Sequence, residues 1–335
     1  MKKYDVYGIG NALLDLDFEV SVETLNRLNI DKGVMTLIDE KKHHFLLEEL
    51  DGIKHLKACG GSVANTIFTL QQMGASTYYS CKIGDDEAGE FFYRNIVNEG
   101  IHTNLNECDR DGVTGKCIVL VTPDADRTMN TYLGATANFS VDQLSDAAIM
   151  NCQYLYIEGY LVAQPTGKIA AVEARKKADA HGVRTAMSLS DPNMVTYFRD
   201  GLVEIIGNKV DILFCNEDEA KLFTQTDNLV DAREQLKDYA NTFVITLGAK
   251  GSLVYNGNEF AHILPYKTNV LDTVGAGDIF AGVFLYAITQ GYNYFSAADF
   301  ANYAASKVVA KYGPRLTHHE IDDVRSLLSN QAINA

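Results

Sequence analysis

Short runs of apolar residues alternate along the chain with longer segments in which apolar residues recur every three or four positions. The first kind is typical of buried β-strands, and the second of helices with one buried face. The predicted strands lie at residues 6–9, 77–81, 154–157, 185–189, 212–214, 243–246 and 252–255. The predicted helices lie at residues 63–73, 87–98, 167–181, 197–206, 217–223, 229–239, 279–289, 296–312 and 321–330. This alternation predicts an α/β fold with three layers, in which helices cover both faces of a mostly parallel sheet.

Two stretches interrupt the alternation, at about 14–38 and 103–133. They contain β-like pieces, which lie at residues 18–22, 34–38, 115–121 and 127–132. These pieces are predicted to leave the main body and to form a small second sheet that acts as a lid. Because no repeat or low-complexity linker divides the chain, residues 1–335 are predicted to form a single domain that carries this lid.

The composition is that of a globular protein, with 47% hydrophobic and 22% charged residues. The chain has 29 basic and 44 acidic residues and a formal net charge of −15, which argues against a nucleic acid or an anionic membrane as partner. The six cysteines form no CxxC pair, which favours a reducing compartment and argues against a zinc site. No signal peptide or long apolar span is recognised, so a cytoplasmic monomer or homodimer is predicted.

The segment DTVGAGDIFAGVF, residues 272–284, carries the most informative chemistry. A helix N-terminus presents unpaired N–H groups and about half a positive charge, and glycines let this backbone approach a phosphate. Gly275, Ala276 and Gly277 are therefore predicted to form an anion hole. Asp278 is predicted to be the adjacent general base, an arrangement that suits phosphoryl transfer to an alcohol. The alternative is a glycine-rich turn in which Asp278 only caps a core helix.

A second glycine pair precedes a helix near the N-terminus, in the sequence GGSVAN of residues 60–65. Gly61 would again bring the backbone close to a ligand, and the amide of Asn65 offers both a donor and an acceptor. A glycine pair before a helix is weak evidence alone, but its combination with the Asp278 motif is specific.

These two segments resemble the two signature regions of the ribokinase-like (PfkB) carbohydrate kinase family, and the resemblance extends over nearly the whole chain. The sequence NEDE at 216–219 is similar to the family's NxxE motif, and TLGAKG at 246–251 is similar to its nucleotide-side TxGxxG turn. Within the family, GNALLD at 10–15, TGKC at 114–117 and VDILF at 210–214 resemble adenosine kinases.

The resemblance implies a ribokinase-like fold with a small β-sheet lid and an enzyme that uses Mg²⁺ and ATP to phosphorylate a primary hydroxyl. It implies that Asp278 is the base and that the preceding glycine turn is the anion hole. The implied acceptor-binding residues are Asn11, Asp15, Gly61, Asn65, Cys117 and Tyr160. The implied nucleotide-binding residues are Asn216, Thr246, Gly248, Gly251 and Arg127, the last of which would neutralise phosphate from the lid.

The chemistry of the side chains bears on three of these implied roles, those of Asp15, of the Asn216 and Glu219 pair, and of Cys117. Asp15, expected in the loop after the first strand, could hold a vicinal diol because one carboxylate accepts two O–H bonds. Asn216 and Glu219 would hold Mg²⁺ through water from one helical face, but Asn followed three residues later by Glu also imitates a capping box. Cys117 is interpreted as a small buried residue rather than a nucleophile.

The loop near Gly313, together with Asp272, resembles the monovalent-cation site of some family members, which implies K⁺. The predicted reaction is phosphorylation of the 5′-hydroxyl of a nucleoside, with adenosine giving AMP as the first choice. A sugar kinase for ribose, fructose or a related carbohydrate is the alternative, and a silent nucleoside or sugar sensor is a third hypothesis. Asn193 stands where adenosine kinases tend to have Phe, and the loss of a ring stack costs roughly 0.5–1.5 kcal/mol.

Overall fold

The computed structural model of the protein describes residues 2–33, 35–124 and 126–332. Within these residues the strands are β1 (Tyr4–Ile9), β2 (Leu13–Glu19), β3 (Met35–Leu37), β4 (His55–Gly60), β5 (Thr77–Ser80), β6 (Gly115–Val121), β7 (Arg127–Tyr132), β8 (Cys152–Glu158), β9 (Arg184–Ser188), β10 (Val210–Asn216), β11 (Ala240–Thr246), β12 (Ser252–Tyr255) and β13 (Phe260–Ile263). The helices are α1 (Val22–Leu28), α2 (Glu40–Glu49), α3 (Ser62–Met73), α4 (Glu87–Glu99), α5 (Asp146–Met150), α6 (Pro165–Ala180), α7 (Pro192–Ile206), α8 (Glu217–Thr224), α9 (Leu229–Leu236), α10 (Ala276–Thr289), α11 (Tyr294–Val308) and α12 (His318–Ala332).

The larger sheet has eight strands in the order β13-β12-β11-β10-β9-β8-β1-β5. Strands β11 through β5 pair in parallel, and β12 and β13 add an antiparallel edge. Neighbouring residues of β10 enter opposite cores, since Phe214 packs in a core with α3 and α10 and Leu213 in a core with α6 and α7. Because successive side chains of a strand point to opposite faces, both faces are covered. The predicted three-layer fold is confirmed.

The smaller sheet has five strands in the order β3-β7-β6-β2-β4. One face buries Leu14 and Leu16 of β2 in a third core that includes Leu25 of α1 and Leu46 of α2. Since residues alternate between faces along a strand, the residues between them, such as Asp15, belong to the opposite face. No helix among the described residues is long and apolar enough to cross a membrane.

The smaller sheet differs in extent from its prediction. The pattern predicts a strand at 18–22, but β2 ends at Glu19 and α1 begins at Val22, where the Ser21 side chain accepts a hydrogen bond from the Thr24 N–H. Strand β4 was not predicted, because it is an edge strand whose first four residues are exposed and therefore lack an apolar run. The strand predicted at 34–38 is observed as β3; its first residue, Val34, lies outside the described residues.

Polar residues stand where five parallel strands of the larger sheet end. Glu158, Ser188, Asn216 and Thr246 are the last residues of β8, β9, β10 and β11, and Asn11 comes shortly after β1. The carboxyl ends of parallel strands meet at one edge of a sheet, and open α/β sheets bind their ligands there. Residues of the smaller sheet line the same cavity as these strand ends. The fold therefore places the smaller sheet over the edge where a ligand is expected.

Candidate active site

A cavity of about 430 Å³ lies between this edge of the larger sheet and one face of the smaller sheet. The predicted site residues that line it are Asn11, Asp15, Gly61, Asn65, Cys117, Tyr160, Asn216, Glu219, Thr246, Gly275, Gly277 and Asp278. In the described part of the chain, the predicted residues outside this lining are Ala276, Arg127, Gly248 and Gly251. The structure thus brings the two glycine motifs to one cavity, and the chemical roles of these residues stay predictions.

Helix α10 begins at the predicted anion hole without a side-chain cap. Its N-cap residue is Gly275, with a left-handed φ of 76°, and in the described residues no side chain accepts a hydrogen bond from this terminus. A Cβ on Gly275 would meet Pro314 at 2.6 Å, so this turn requires glycine. A Cβ on Gly277 would meet nothing within 4 Å, because Gly277 faces the cavity. The Ala276 N–H donates to Thr273 O at 3.3 Å, whereas those of Gly277 and Asp278 have no acceptor among the described residues and are open to an anion in the cavity.

Asp278 lies in the first turn of α10 and is held in place from α3. Its carboxylate accepts hydrogen bonds from Ser62 Oγ at 2.6 Å and from Asn65 Nδ2 at 3.0 Å. Burial raises the pKa of Asp278 to about 6, against the lowering effect of these two bonds and of the Arg315 charge. A carboxylate with this pKa is mostly ionised at neutral pH and can accept the proton of an alcohol.

The second glycine motif forms the N-terminus of α3 and packs directly on the end of β1. Gly61 has a φ of 105°, and a Cβ there would meet the backbone O of Asn11 at 2.2 Å. Glu158 joins these parts, because its carboxylate accepts hydrogen bonds from Val63 N at 3.0 Å and from Asn11 Nδ2 at 2.7 Å. Burial raises the pKa of Glu158 to about 7. Glu158 was not among the predicted site residues, although a carboxylate at the end of a buried strand was an available signal.

The side chain of Asn11 is buried and largely occupied by protein partners. Its Oδ1 accepts hydrogen bonds from Gln164 Nε2 at 2.7 Å and from Thr136 Oγ1 at 3.2 Å. Its Nδ2 donates one hydrogen to Glu158, as described, so one hydrogen of this amide remains for an acceptor hydroxyl. Asn11 therefore offers a ligand one donor in a fixed direction.

Asp15 lies within strand β2, so its predicted place in a loop after the first strand is wrong. The chain passes from β1 to β2 through only residues 10–12, which means that the supposed exit loop already leads into the smaller sheet. The predicted neighbourhood is nevertheless observed, because a Cβ on Gly60 would meet Asp15 Oδ1 at 2.2 Å. Burial and the charge of Asp17 raise the pKa of Asp15 to about 7.

The register of the smaller sheet places Asp15 at one end of a row of side chains that faces the cavity. Asp15 pairs with Cys117, Cys117 pairs with Thr131, and Thr131 pairs with Leu37. All four residues line the cavity. Since neighbouring strands lie about 4.8 Å apart, the row extends about 14 Å from a carboxylate to an apolar side chain.

Cys117 lies in the middle of this row. Burial raises the pKa of its thiol above the usual range, and Thr131 Oγ1 donates a hydrogen bond to its sulfur at 3.4 Å. The thiolate is the nucleophilic form of cysteine, so a thiol kept protonated is not a nucleophile. The interpretation of Cys117 as a small buried residue agrees with this environment.

Tyr160 lies in the short 3₁₀ turn after β8 and lines the cavity. Asn193, by contrast, is exposed in the first turn of α7, where its backbone N–H donates to the Asp191 carboxylate at 2.7 Å. The next residue, Met194, is buried and lines the cavity instead. This segment therefore contributes the apolar side chain of Met194, and not the side chain of Asn193, to the cavity wall.

Asn216 and Glu219 form a reciprocal capping box at the start of α8. Asn216 Oδ1 accepts a hydrogen bond from Glu219 N at 2.8 Å, and Glu219 Oε2 accepts one from Asn216 N at 3.0 Å. The capping alternative is thus observed, but both side chains also line the cavity. Burial raises the pKa of Glu219 to about 7. Among the described residues no cluster of three or more His, Cys, Asp or Glu side chains could hold a metal, so Mg²⁺ here would need water and phosphate ligands.

The residues predicted to border ATP lie at the end of β11 and in the turn after it. Thr246 lines the cavity, whereas Gly248 and Gly251 adopt positive φ values of 56° and 90° in the turn. Leu247 N donates to Gly251 O at 2.8 Å, which closes the turn between β11 and β12. These positions agree with a nucleotide beside Thr246, and that contact stays a prediction.

Arg127 is buried between two carboxylates, and its predicted contact with phosphate stays a prediction. Its Nη2 lies 2.9 Å from Asp17 Oδ2, and its Nη1 lies 3.2 Å from Asp272 Oδ2. Asp272 also accepts hydrogen bonds from Val274 N at 3.0 Å and from Gly313 N at 3.0 Å. Arg127 thus connects the smaller sheet to the loop that precedes the predicted anion hole.

Arg315 is a cation of this region that was not predicted from the sequence. Its Nε donates to Asn65 Oδ1 at 3.0 Å, and its guanidinium lies 3.7 Å from the centroid of the Phe68 ring. Nothing in the local sequence near Arg315 indicates a partner in α3, because 250 positions separate it from Asn65. Only the packed fold identifies this residue.

Comparison with known proteins gives relatives over nearly the whole chain. The family model for the pfkB family carbohydrate kinases matches residues 34–320. Ribokinase of Staphylococcus aureus (strain COL) is 30% identical over 280 residues, which cover 80% of this chain and 87% of the relative. The crystal structure of adenosine kinase from Sinorhizobium meliloti is 33% identical, with a TM-score of 0.88 over 97% of this chain and 99% of that chain. The crystal structure of a probable sugar kinase from Rhizobium etli CFN 42 is 29% identical, with a TM-score of 0.89 over 98% of this chain and 100% of that chain.

Proposed function

The chain belongs to the pfkB family of carbohydrate kinases, and on that premise we propose that it phosphorylates the 5′-hydroxyl of a nucleoside. The proposed acceptor is adenosine, which gives AMP, and the proposed donor is ATP. A phosphotransferase that acts on a hydroxyl group follows from the family, whereas the nucleoside is the specific part of the proposal.

The contrast between the two ends of the cavity face of the smaller sheet carries this proposal. At one end Asp15 presents a carboxylate, and at the other Met35, Leu37 and Met129 present apolar side chains to the cavity. Leu37 is 48% exposed, and covering such a side chain with an apolar ligand surface is favourable. A purine nucleoside has a diol at one end and a flat base with apolar faces at the other, whereas a free pentose is polar all round. The row therefore fits a nucleoside better than a sugar.

The same geometry supports the chemical step. Asp278 would accept the proton of the 5′-hydroxyl while that oxygen forms its bond to the γ-phosphorus and the bond to the ADP oxygen breaks. Ser62 and Asn65 hold the Asp278 carboxylate in place for this transfer. The N–H groups of Gly275 and Gly277 would stabilise the negative charge on the transferred group, while that of Ala276 already donates to Thr273 O.

Mg²⁺ fits the oxygen donors of Asn216 and Glu219, because this ion prefers oxygen ligands and keeps several of its waters. When bound, it would neutralise charge on the donor phosphates. The two side chains also bond to each other, since Asn216 Nδ2 donates to Glu219 Oε1 at 2.7 Å, and both line the cavity that would hold the phosphates. K⁺ near Asp272 and Gly313 is a separate prediction; Arg127 already supplies a positive charge to Asp272, so we expect a weak response to K⁺.

We also propose that the protein works in the cytoplasm without a nucleic-acid or membrane partner, as a monomer or homodimer. All six cysteines are free thiols, as expected for a reducing compartment. The net charge of −15 opposes binding to a polyanion.

The acceptor is tested with adenosine and 2′-deoxyadenosine as paired substrates. If Asp15 holds the diol, removal of the 2′-hydroxyl leaves a buried carboxylate unpaired, which costs about 1–3 kcal/mol and lowers kcat/KM roughly 5- to 150-fold. Asp15→Ala should erase this preference. Glu19→Ala removes an exposed carboxylate from the end of the same strand and should keep it.

A sugar kinase is the alternative, since a ribokinase and a probable sugar kinase are among the relatives. Rapid turnover of ribose or fructose with no turnover of adenosine would replace the nucleoside assignment by this one. Binding of a nucleoside or sugar in a thermal-shift panel, without ADP formation, would instead support a sensor. A ligand at 100 times its Kd adds about 2.7 kcal/mol of stability, which such a panel detects readily.

A further inference from the structure

Three residues form a continuous chain of contacts that begins behind the cavity at Arg315 and ends in its lining at Asp278. Arg315 Nε donates to Asn65 Oδ1 at 3.0 Å, and Asn65 Nδ2 donates to Asp278 Oδ2 at 3.0 Å. The guanidinium is held in position by the ring of Phe68, 3.7 Å from its centroid. Arg315 does not line the cavity, so it acts on the site from behind the α3 helix residues that do.

The chemistry of these groups allows only one orientation of the Asn65 amide. A guanidinium only donates hydrogen bonds and an ionised carboxylate only accepts them, whereas an amide has one end of each kind. Its oxygen must therefore face Arg315 and its nitrogen must face Asp278. If the guanidinium were absent, nothing on that side would oppose rotation of the amide, which would bring its oxygen towards the Asp278 carboxylate.

Arg315 is also incompletely satisfied by the protein. Its Nη2 is buried and has no hydrogen-bond partner among the described residues. A buried polar group without a partner destabilises the folded state, so we infer that this guanidinium has a functional role. A charged donor strengthens the hydrogen bond that it makes, which here is the bond to Asn65 Oδ1. The same amide donates to the carboxylate of the proposed base.

We propose that Arg315 is a positioning residue for phosphoryl transfer: it orients the Asn65 amide towards Asp278 and thereby keeps this carboxylate ionised. The inference rests on the proposed role of Asp278 as the base. It gives Arg315 no contact with substrate, because its effect passes through Asn65.

Other ionisable groups surround Asp278 and must be considered in a test by pH. Asp15 of β2, Glu158 and Tyr156 of β8, and Tyr160 in the turn after β8 interact with it, and their pKa values are raised by burial and, to a smaller extent, by the Asp278 charge. Arg315 opposes the effect of burial on the pKa of Asp278, as it does for Asp15. Loss of Arg315 should therefore raise the pKa of Asp278, so that activity is lost at acid pH first.

The experiment is the pH dependence of kcat/KM with Mg·ATP and adenosine, or ribose if adenosine is inert. An opposite charge within a few ångströms lowers a carboxyl pKa by 1–3 units, and the Arg315 charge acts through an intervening amide. The acid limb of the pH profile, where kcat/KM falls as Asp278 is protonated, should therefore move upward by about one pH unit in Arg315→Met. At a pH below both limbs, kcat/KM should fall about tenfold, and the alkaline plateau should change little. Arg315→Lys keeps the positive charge, so its acid limb should lie close to that of the wild type.

Two further variants separate this effect from others. Arg184→Met removes an arginine that lies 4.0 Å from the Tyr154 ring at the first residue of β9, and it should leave the limb unchanged. The Asp15→Asn background removes a second cavity carboxylate that Arg315 influences, and the shift should persist in it. If Arg315→Met does not fold, Arg315→Gln keeps a polar side chain without the charge and should show a shift in the same direction.

An unchanged acid limb in a folded Arg315→Met protein, or a loss of activity that is equal at all pH values, would overturn the proposal. A shift that disappears in Asp15→Asn would also overturn it, since the charge would then act on Asp15. Failure of the proposed base is a different result, because Asp278→Asn would then retain turnover whatever Arg315 does.

Discussion

Helices α8 and α10 begin at the same cavity, yet their first turns are built in opposite ways. Helix α8 starts with the Asn216 and Glu219 capping box, whose side chains accept hydrogen bonds from the backbone N–H groups of each other. Helix α10 starts at Gly275, and no side chain caps it in the described residues. The N–H groups of Asn216 and Glu219 are thus satisfied by these side chains, whereas those of Gly277 and Asp278 in α10 have no acceptor among the described residues.

This difference indicates which kind of ligand each terminus suits. Open amides at the positive end of a helix attract an anion, and glycines keep the approach clear of side chains. The α8 terminus presents a carboxylate and amide oxygen instead, which suit a hydrated cation. One cavity would thereby receive a phosphate at α10 and its counter-ion at α8.

The largest expected effect is at α10 itself. Asp278→Asn keeps the size of the side chain but cannot accept the proton, so kcat should fall about 10²- to 10⁴-fold. Calorimetric titration with ATP should show retained affinity, because the backbone amides are unchanged. A variant with the kcat of the wild type would remove Asp278 from the mechanism and leave it as a helix-capping residue.

The open amides are tested by adding a side chain beside them. Gly277→Val should fold, because a Cβ there meets nothing within 4 Å, but its methyl groups would occupy the space in which a phosphate approaches. Loss of one such donor lowers kcat about 10²- to 10³-fold, which steady-state kinetics would measure. Gly275→Ala is the contrasting variant: it should destabilise the fold, because φ is 76° and Pro314 lies 2.6 Å from the new Cβ. Unchanged kcat in folded Gly277→Val would mean that the glycines serve only the turn.

The cation side is tested with Glu219→Gln. Glutamine can still accept the Asn216 N–H bond, so the cap should survive while the charge is lost. The Mg²⁺ concentration for half-maximal rate should rise about tenfold, a typical loss for a group that orients metal-bound water. The titration is best made near pH 8, because the pKa of Glu219 is about 7 and the wild type is then ionised. A Mg²⁺ curve identical to that of the wild type would reduce the motif to a cap.

The smallest effect concerns the cap alone. Asn216→Ala should lower the free energy of unfolding by about 1 kcal/mol, as loss of an N-cap usually does. Asn228, which caps α9 by accepting a hydrogen bond from Asp231 N, provides a matched control away from the cavity. Asn228→Ala should cost a similar stability in urea unfolding without any change in Mg²⁺ response. An equal Mg²⁺ response in both variants would show that the α8 cap has no separate role in the site.

Features of the site that depend on neighbours in sequence were predictable. The glycine turn before Asp278, the helix that follows it and the Asn216 cap all arise from residues within a few positions of each other, where backbone geometry and local hydrogen bonds decide the conformation. The mostly parallel pairing of the larger sheet was predictable from the alternation of strands and helices, because a helix between two strands lets the second strand run parallel to the first.

Features that depend on distant residues were not predictable in this way. Strand β4 is exposed on an edge and has no apolar signal, and the short link from β1 left no pattern to show that Asp15 continues into a strand. Arg127 looks like a free cation in the sequence, but the fold pairs it with Asp17 and Asp272. These two carboxylates come from other segments of the chain, so the local sequence does not show that Arg127 is paired.

The sequence by itself determined the alternation of strands and helices, the uncapped start of α10 and the capped start of α8, since each is a matter of local hydrogen bonding and steric freedom. Only the tertiary structure decided which polar groups meet in the cavity lining and directly behind it. Ser62 contacts Asp278, 216 positions away, and Arg315 contacts Asn65, 250 positions away. The spacing of apolar residues along the chain does not indicate such contacts. The pKa of Asp278 is raised to about 6 by burial, and burial is a property of the packed fold rather than of any segment of the chain.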